Sequence, residues 1–429
     1  MSLTLPKADR MKHYARTLLI TLFAILLGFA AFNAVIDPFA VTGAPDIPGL
    51  TVRDTRLYDD GGRVHVADRL ARGGDTSILL GSSRTVDGFP HDPAGWPGGI
   101  YNAGMRGTNI FELSQAMVLA ARNPQLRCVV IGLDLDEFGT HSRAKATYWL
   151  SALNDGNRTL SMARVSLSPN TFGASLQLMA DNLGGGAPRV PWADSYPAGA
   201  QRERYESGVR GIYGFYLGYN FDPDRVALFE RALEALASNG IQVVGFIHPL
   251  HAWREEALFR SGRSETYFEM RRTLTDVFAR HAAAPGADAC IEGGSAMLWD
   301  FSGYRDFAAL PAPGPEQSLA HPAFYEPSHY LPYIGQAMLD TMRGETGGVD
   351  GLTGLRLTAD NIETSAGEIR QRRQRWLETA DGQAASEVFD LLEAAGPVAE
   401  VETPQYLNRD DWISLDDKIS RIARDRAGR

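Results

Sequence analysis

The sequence predicts an α/β domain built on a parallel sheet, set behind a membrane-spanning segment and followed by a helical extension. Three observations carry that prediction: a short apolar run at 76–80 and a second, Cys128, Val129, Val130 and Ile131, within 126–135, a helical pattern between them at 108–122, and a stretch of Leu, Ile, Phe, Ala and Val at 17–36. The two runs are too short and too evenly apolar for amphipathic helices and read as buried parallel strands. Between them Ile110, Leu113, Met117, Val118 and Ala121 recur at helical spacing, and Asn123-Pro124 ends the pattern. Strand, helix, strand is the rhythm of an α/β sheet.

In chain order, residues 17–36 come first. About 20 residues at helical rise cover about 30 Å, one hydrocarbon core. Lys7, Arg10, Lys12 and Arg16 precede the stretch with only Asp9 to offset them, whereas Asp37 and Asp46 open the other flank. The excess of positive charge puts residues 1–16 in the cytoplasm and everything after 36 outside, periplasmic or otherwise extracytoplasmic. A cleaved signal peptide competes with this reading. Its sites are poor, because Gly28-Phe29-Ala30 lies inside the apolar run and a cut after Ala34 would put Phe32 at position minus three. A single-pass anchor in the inner membrane is therefore favoured.

Residues 37–64, rich in Pro, Gly and Asp, read as a linker, and 65–345 as the main α/β unit. The rhythm breaks at about 139–220, where Gly/Pro-rich stretches and an aromatic segment read as an insertion over the sheet. It resumes with a helix at 222–238 closed by Asn239-Gly240, a strand at 241–247, a helix at about 254–281, a strand near 297–301 and a helix at 332–342. Residues 346–429 carry many charges and few strand formers. Ser365 and Glu368 have capping-box spacing, Gly396-Pro397 ends a second helix, and 414–426 forms a third, which together make a helical C-terminal extension.

Composition excludes several classes. The chain has 52 Asp and Glu against 42 Lys and Arg, a formal charge of −10, so no basic excess exists to neutralise the phosphates of a nucleic acid. Apolar residues at 44% and charged residues at 22% are those of a folded chain. Two cysteines make neither a disulfide framework nor a four-cysteine zinc site, and Cys128 and Cys290 read as buried thiols. No Gly-x-Gly-x-x-Gly follows a strand and no Walker-type Gly-Lys-Ser/Thr occurs, so no nucleotide cofactor is expected.

The stretch Ile78-Leu79-Leu80-Gly81-Ser82-Ser83-Arg84-Thr85 is a strand ending in glycine and a serine pair. Ligands of open parallel sheets bind beyond the carboxyl ends of strands, so a hydroxyl there faces a substrate. Serine is a weak nucleophile that needs a base, and either serine can instead cap the following helix. A base is offered far downstream by Tyr325-Glu326-Pro327-Ser328-His329-Tyr330. A carboxylate three residues ahead of a histidine, in a proline-stiffened loop, can accept the Nδ1 proton and turn Nε2 outward.

Gly81-Ser82-Ser83-Arg84-Thr85 with Gly88 resembles the Gly-Asp-Ser-Leu block of SGNH/GDSL hydrolases, and Glu326-Pro327-Ser328-His329 resembles their Asp-x-x-His block. The resemblance covers about 65–345. It implies a three-layer, flavodoxin-like parallel sheet with helices on both faces, nucleophile Ser83, base His329, and Glu326 in place of the usual Asp. The Gly-Ser-Ser-Arg form, the anchor and Trp299-Asp300-Phe301-Ser302 are similar to membrane-anchored relatives of the alginate O-acetylation and teichoic-acid D-alanylation type. It further implies an esterase, deacetylase or acyltransferase on an acylated glycan or other envelope polymer, with a membrane acyl-donor protein as partner if it is a transferase.

The family's oxyanion-hole blocks fall on Ser83, on Gly104 in Asn102-Ala103-Gly104-Met105, and on Gly132-Leu133-Asp134-Leu135, where Asp134 replaces an asparagine. An ionised carboxylate repels a developing oxyanion, so Ser83 and Gly104 make the hole alone, or Asp134 has another task, or catalysis is impaired. The last option gives the alternative function, a decayed scaffold or glycan-binding protein on the same fold. Arg84 can bind an anionic substrate group or pair with a nearby Asp. His248 and His251 follow the strand at 241–247 and so can reach substrate, but with no third ligand at useful spacing no metal site is expected. The aromatic segment Tyr213, Phe215, Tyr216, Tyr219 and Phe221 can stack on sugar rings or fill the core beneath the insertion.

Overall fold

The computed structural model describes residues 7–53, 61–141, 144–184, 200–282, 289–316, 321–345, 348–396 and 407–427. Five strands, β1 Ser77–Gly81, β2 Tyr101–Gly104, β3 Cys128–Leu133, β4 Gln242–Ile247 and β5 Ala296–Asp300, run parallel. A separate hairpin pairs β6 Phe324–Glu326 with β7 His329–Tyr330, and β8 Leu355–Leu357 then joins β5 antiparallel at the sheet edge. The sheet order is β2-β1-β3-β4-β5-β8. This mainly parallel sheet has the 2-1-3-4-5 order of one common doubly wound arrangement, whose switch point lies between β1 and β3. In such arrangements ligands bind beyond the carboxyl ends of those two strands.

Every residue of β1, β3 and β4 is buried, the expected state for parallel strands covered on both faces. Helices Ile110–Ala120, Pro223–Ala237 and Ser264–Arg280 pack on one face. Helices Ser83–Gly88 and Pro332–Met342 pack together on the other. Helix Ile110–Ala120 is buried all round, because helices Gly61–Arg72 and Arg409–Ala427 also cover it. Its polar residues find partners accordingly: Glu112 pairs with Arg63 at 2.8 Å, and Gln115 accepts from Lys418 at 2.5 Å.

Several expectations are corrected. Residues 37–53 are packed, not a loose tether: the carboxylate of Asp37 accepts the amides of Val41, Thr42 and Gly43, and Phe39 and Val41 are buried with Val64 and Val165. Helix Gly61–Arg72 begins inside the span read as linker. The helix expected at 254–281 is two, Ala252–Arg260 and Ser264–Arg280, broken at Gly262 with φ +75°. Strands β2 and β8 were not expected, and β8 ties the C-terminal extension into the sheet. Ser365 lies inside helix Ile362–Leu377 rather than at its cap, and its hydroxyl accepts from Arg271 at 2.7 Å.

The described part of the insertion is helical: Ala146–Leu150, Ala152–Asp155, Arg158–Ser166, Pro169–Leu183 and Ala200–Leu217. Its aromatic segment points inward. Tyr216 and Tyr219 are buried, and the Tyr219 hydroxyl donates to the Leu135 carbonyl at 2.6 Å. Tyr213 is buried edge-on to Phe389 of the C-terminal extension, so core filling accounts for these rings. The N-terminal helix Lys7–Ile36 contains one apolar stretch, Met11–Ile36, long enough to cross a membrane, a test a signal sequence also passes.

Candidate active site

β1 ends at Gly81, whose φ of +154° lies outside the range L side chains favour, and a Cβ there would sit 2.0 Å from Thr85 Oγ1. This glycine turns the chain sharply from strand into helix Ser83–Gly88. Ser82 occupies the cap position, but its side chain makes no capping hydrogen bond; its carbonyl accepts the amides of Thr85 and Val86. Ser83 is the first helical residue and remains partly exposed, at the switch-point end of the sheet.

The Glu-Pro-Ser-His stretch is a hairpin with Pro327 and Ser328 at its tip, so Glu326 and His329 are cross-strand partners. Directly opposed residues bring their side chains together, which explains the three-residue spacing. Glu326 Oε1 binds His329 Nδ1, and Oε2 accepts the Ser328 amide at 3.0 Å. His329 Nε2 lies 2.7 Å from Ser83 Oγ. Burial disfavours the charge on Glu326, but the hydrogen bond from His329, the Ser328 amide and the nearby Arg254 hold its pKa down at about 2. An ionised carboxylate only accepts, so the proton resides on Nδ1 and the Nε2 lone pair faces the serine hydroxyl.

The hairpin is held against the serine helix by two devices. Tyr330 packs flat on Gly88, where a Cβ would come within 2.2 Å of the ring. Arg84, one residue after Ser83, donates through Nε to the Ser328 carbonyl at 3.0 Å and pairs with Asp134 and, at 3.2 Å, with Asp136. Arg254 adds a bond to Ser328 Oγ at 2.5 Å and a pair with Asp136, whose other oxygen accepts from Tyr216 at 3.0 Å. Burial disfavours charge in this cluster, but Arg84 is held well above its ordinary pKa by Asp134 and Asp136. Asp136 is held below its own by Arg254 and Arg84.

The other residues singled out from sequence take different positions. Asp134 is 4% exposed and is Arg84's partner, which gives it the separate task left open above. His248 and His251 do not reach a substrate surface, since both are 0% exposed. His248 Nδ1 meets the Tyr330 hydroxyl at 2.8 Å, and burial pushes its pKa down to about 4. His251 caps helix Ala252–Arg260 by accepting the Trp253 amide at 3.2 Å, while its Nε2 donates to the Leu310 carbonyl. The Gly104 amide, expected in the oxyanion hole, donates instead to Asn102 Oδ1 at 3.1 Å. Asn102 is itself anchored to the Thr85 carbonyl. Ser83, as first residue of its helix, keeps an amide with no carbonyl four residues back inside the helix.

Arg254, Ser328 and Asn102 were not identified from sequence as site residues, and Tyr216 was read only as a sugar-stacking or core ring. Nothing in their spacing marks them, because they meet only through the fold. Cys128 and Cys290 are not joined by a disulfide; Cys128 is buried as expected, whereas Cys290 is only partly buried and its Sγ lies 3.6 Å from Ser77 Oγ. Among the described residues no group of three or more His, Cys, Asp or Glu is arranged to hold a metal ion. Comparison with protein-family models and with curated proteins finds no match to either.

Proposed function

We propose that this chain is a serine-dependent ester hydrolase or acyltransferase of the SGNH type. Its substrate would be an acetylated or similarly acylated envelope or exported polysaccharide, outside the cytoplasmic membrane. The observation that carries the reading is the continuous chain Ser83 Oγ, His329 Nε2, His329 Nδ1 and Glu326 at the switch point of a parallel sheet. Ser83 Oγ would bond to the acyl carbon while its proton passes to Nε2. The tetrahedral oxyanion would be met by the Ser83 amide. Collapse would expel the alcohol, which takes the proton from Nε2 and leaves an acyl-serine. Water as the second acceptor makes a hydrolase; a sugar hydroxyl makes a transferase.

Anchoring through the N-terminal helix supports the proposed location. Asn33 is 2% exposed, donates to the Ser166 carbonyl at 2.9 Å and accepts from Ser175 at 3.1 Å. Cleavage after Ala30 would remove Phe29 from the fold, and cleavage after Ala34 would remove Asn33 as well.

One observation favours a decayed, polysaccharide-binding relative: Asn102 occupies the Gly104 amide, and losing one oxyanion donor typically costs roughly 10² to 10³ in rate. The hydrogen bond between Ser83 and His329 weighs against decay. Incubating the full chain with an activated acetyl ester, with and without a deacetylated polysaccharide, tests the proposal. Turnover abolished by Ser83→Ala is the expected result, and the acceptor that gains acetyl distinguishes hydrolase from transferase. Equal rates for wild type and Ser83→Ala would overturn it.

A further inference from the structure

Helices Arg158–Ser166 and Pro169–Leu183 of the insertion pack against the end of the N-terminal apolar helix. Phe172 stacks on Phe29 at 5.0 Å and meets Phe32 at 5.3 Å. Phe29 precedes the helix end at Ile36 by about two turns, roughly 10 Å at helical rise, so Phe172 lies level with the apolar stretch rather than beyond it.

Each helix of this pair carries an exposed apolar stripe, beside exposed polar residues such as Asn170, Gln177 and Asp181. On Pro169–Leu183, Gly173, Leu176, Ala180 and Leu183 recur at helical spacing and are exposed, Leu176 by 48% and Leu183 by 71%. On the preceding helix and just past its end, Leu160 at 46% and Leu167 at 49% do the same. At about 100° per residue, the Leu176 and Leu183 stripe lies next to the Phe172 side that faces the anchor. The buried faces carry Thr171, Ser175 and Leu178 instead. The exposed stripe thus continues the lipid-facing surface of the anchor around the insertion.

Resting on the membrane-anchor reading above, we propose that the hairpin of helices Arg158–Ser166 and Pro169–Leu183 lies in the outer face of the bilayer. Leu160, Leu167, Leu176 and Leu183 enter its acyl region. Amphipathic helices lie in such interfaces with their apolar face sunk by about 5–10 Å. The catalytic domain would then be held in a fixed orientation on the membrane rather than swinging on a tether, which agrees with the packing of residues 37–53.

The test uses the full chain with Cys290→Ser, reconstituted at one copy per nanodisc of phosphatidylcholine and phosphatidylglycerol. Spin labels are placed singly at Leu176, Leu183, Leu26 and Glu269, and collision with oxygen is compared with collision with a water-soluble nickel chelate. The proposal expects the oxygen-to-nickel ratio at Leu176 and Leu183 to approach that at Leu26 and to exceed that at Glu269 severalfold. A Leu176 label as accessible to nickel as the Glu269 label, with Leu26 lipid-exposed, overturns this inference and leaves the anchor standing. Water exposure at Leu26 as well overturns both. Protection at Leu176 that arises only with two copies per disc assigns the stripe to a second copy and also overturns the proposal.

Discussion

In the proposed mechanism Glu326 carries the role most sensitive to a single atom, since it must be charged to fix which imidazole nitrogen bears the proton. Its depressed pKa keeps it ionised far below neutrality. Because the folded value lies below the unfolded one, its stabilising contribution is complete above about pH 4.5 and is lost as pH falls toward about 2. Glu326→Gln should retain the fold at neutral pH, yet lower kcat by about 10⁴ with KM little changed, as when the wrong tautomer is favoured. Steady-state kinetics on an activated ester with circular dichroism of the same preparation checks this; a loss below tenfold would reduce Glu326 to a surface charge. That Ser83, His329 and Glu326 come together was legible in the sequence, because two of them share one short motif and the third follows a recognisable strand. The occupation of the Gly104 amide by Asn102 was not, since it depends on a side-chain rotamer two residues away.

At the scale of elements, the site is a junction between the turn after β1, the exit of β3 and the β6–β7 hairpin, and Arg84, in the first, is bonded to the other two. Sequence reasoning that aligns Asp134 with an oxyanion-hole asparagine expects Asp134→Asn to preserve or raise activity. The geometry reverses that expectation. Neutralising Asp134 leaves Arg84 to share Asp136 with Arg254, and removing one partner of a buried pair costs about 3–5 kcal/mol. Asp134→Asn should therefore shift the urea midpoint downward and lower activity with it. An unchanged midpoint with higher activity would restore the oxyanion assignment. The long strands and the helices with clear caps were legible, as at Asp222, whose side chain accepts the Asp224 amide at 3.1 Å. β2, with four residues, and β8, with three, were not. Short strands have too few positions to show a period and are fixed by the neighbours they pair with.

For the whole molecule, the sheet at the core was predictable and the way the outer segments close on it was not. The C-terminal extension reads as an appendage in sequence, but Arg373 binds Glu256 through two bonds of 2.7 Å. Lys418 is buried against Gln115 and the Leu153 carbonyl. The insertion, in turn, backs the β6–β7 hairpin: a Cβ at Gly208 would lie 3.3 Å from Glu326 Oε2. These contacts join residues far apart in the chain, and single polar positions carry no mark of such partners. The proposed chemistry nevertheless reduces to one atom, Ser83 Oγ, and its contact with His329 Nε2 at 2.7 Å. The direct measurement is mass spectrometry with peptide mapping after the full chain reacts with a fluorophosphonate. A single phosphonyl adduct on Ser83, lost in Ser83→Ala and strongly reduced in a folded His329→Ala variant, is the predicted result. An unmodified Ser83, or labelling of Ser83 indifferent to His329→Ala, would contradict the account.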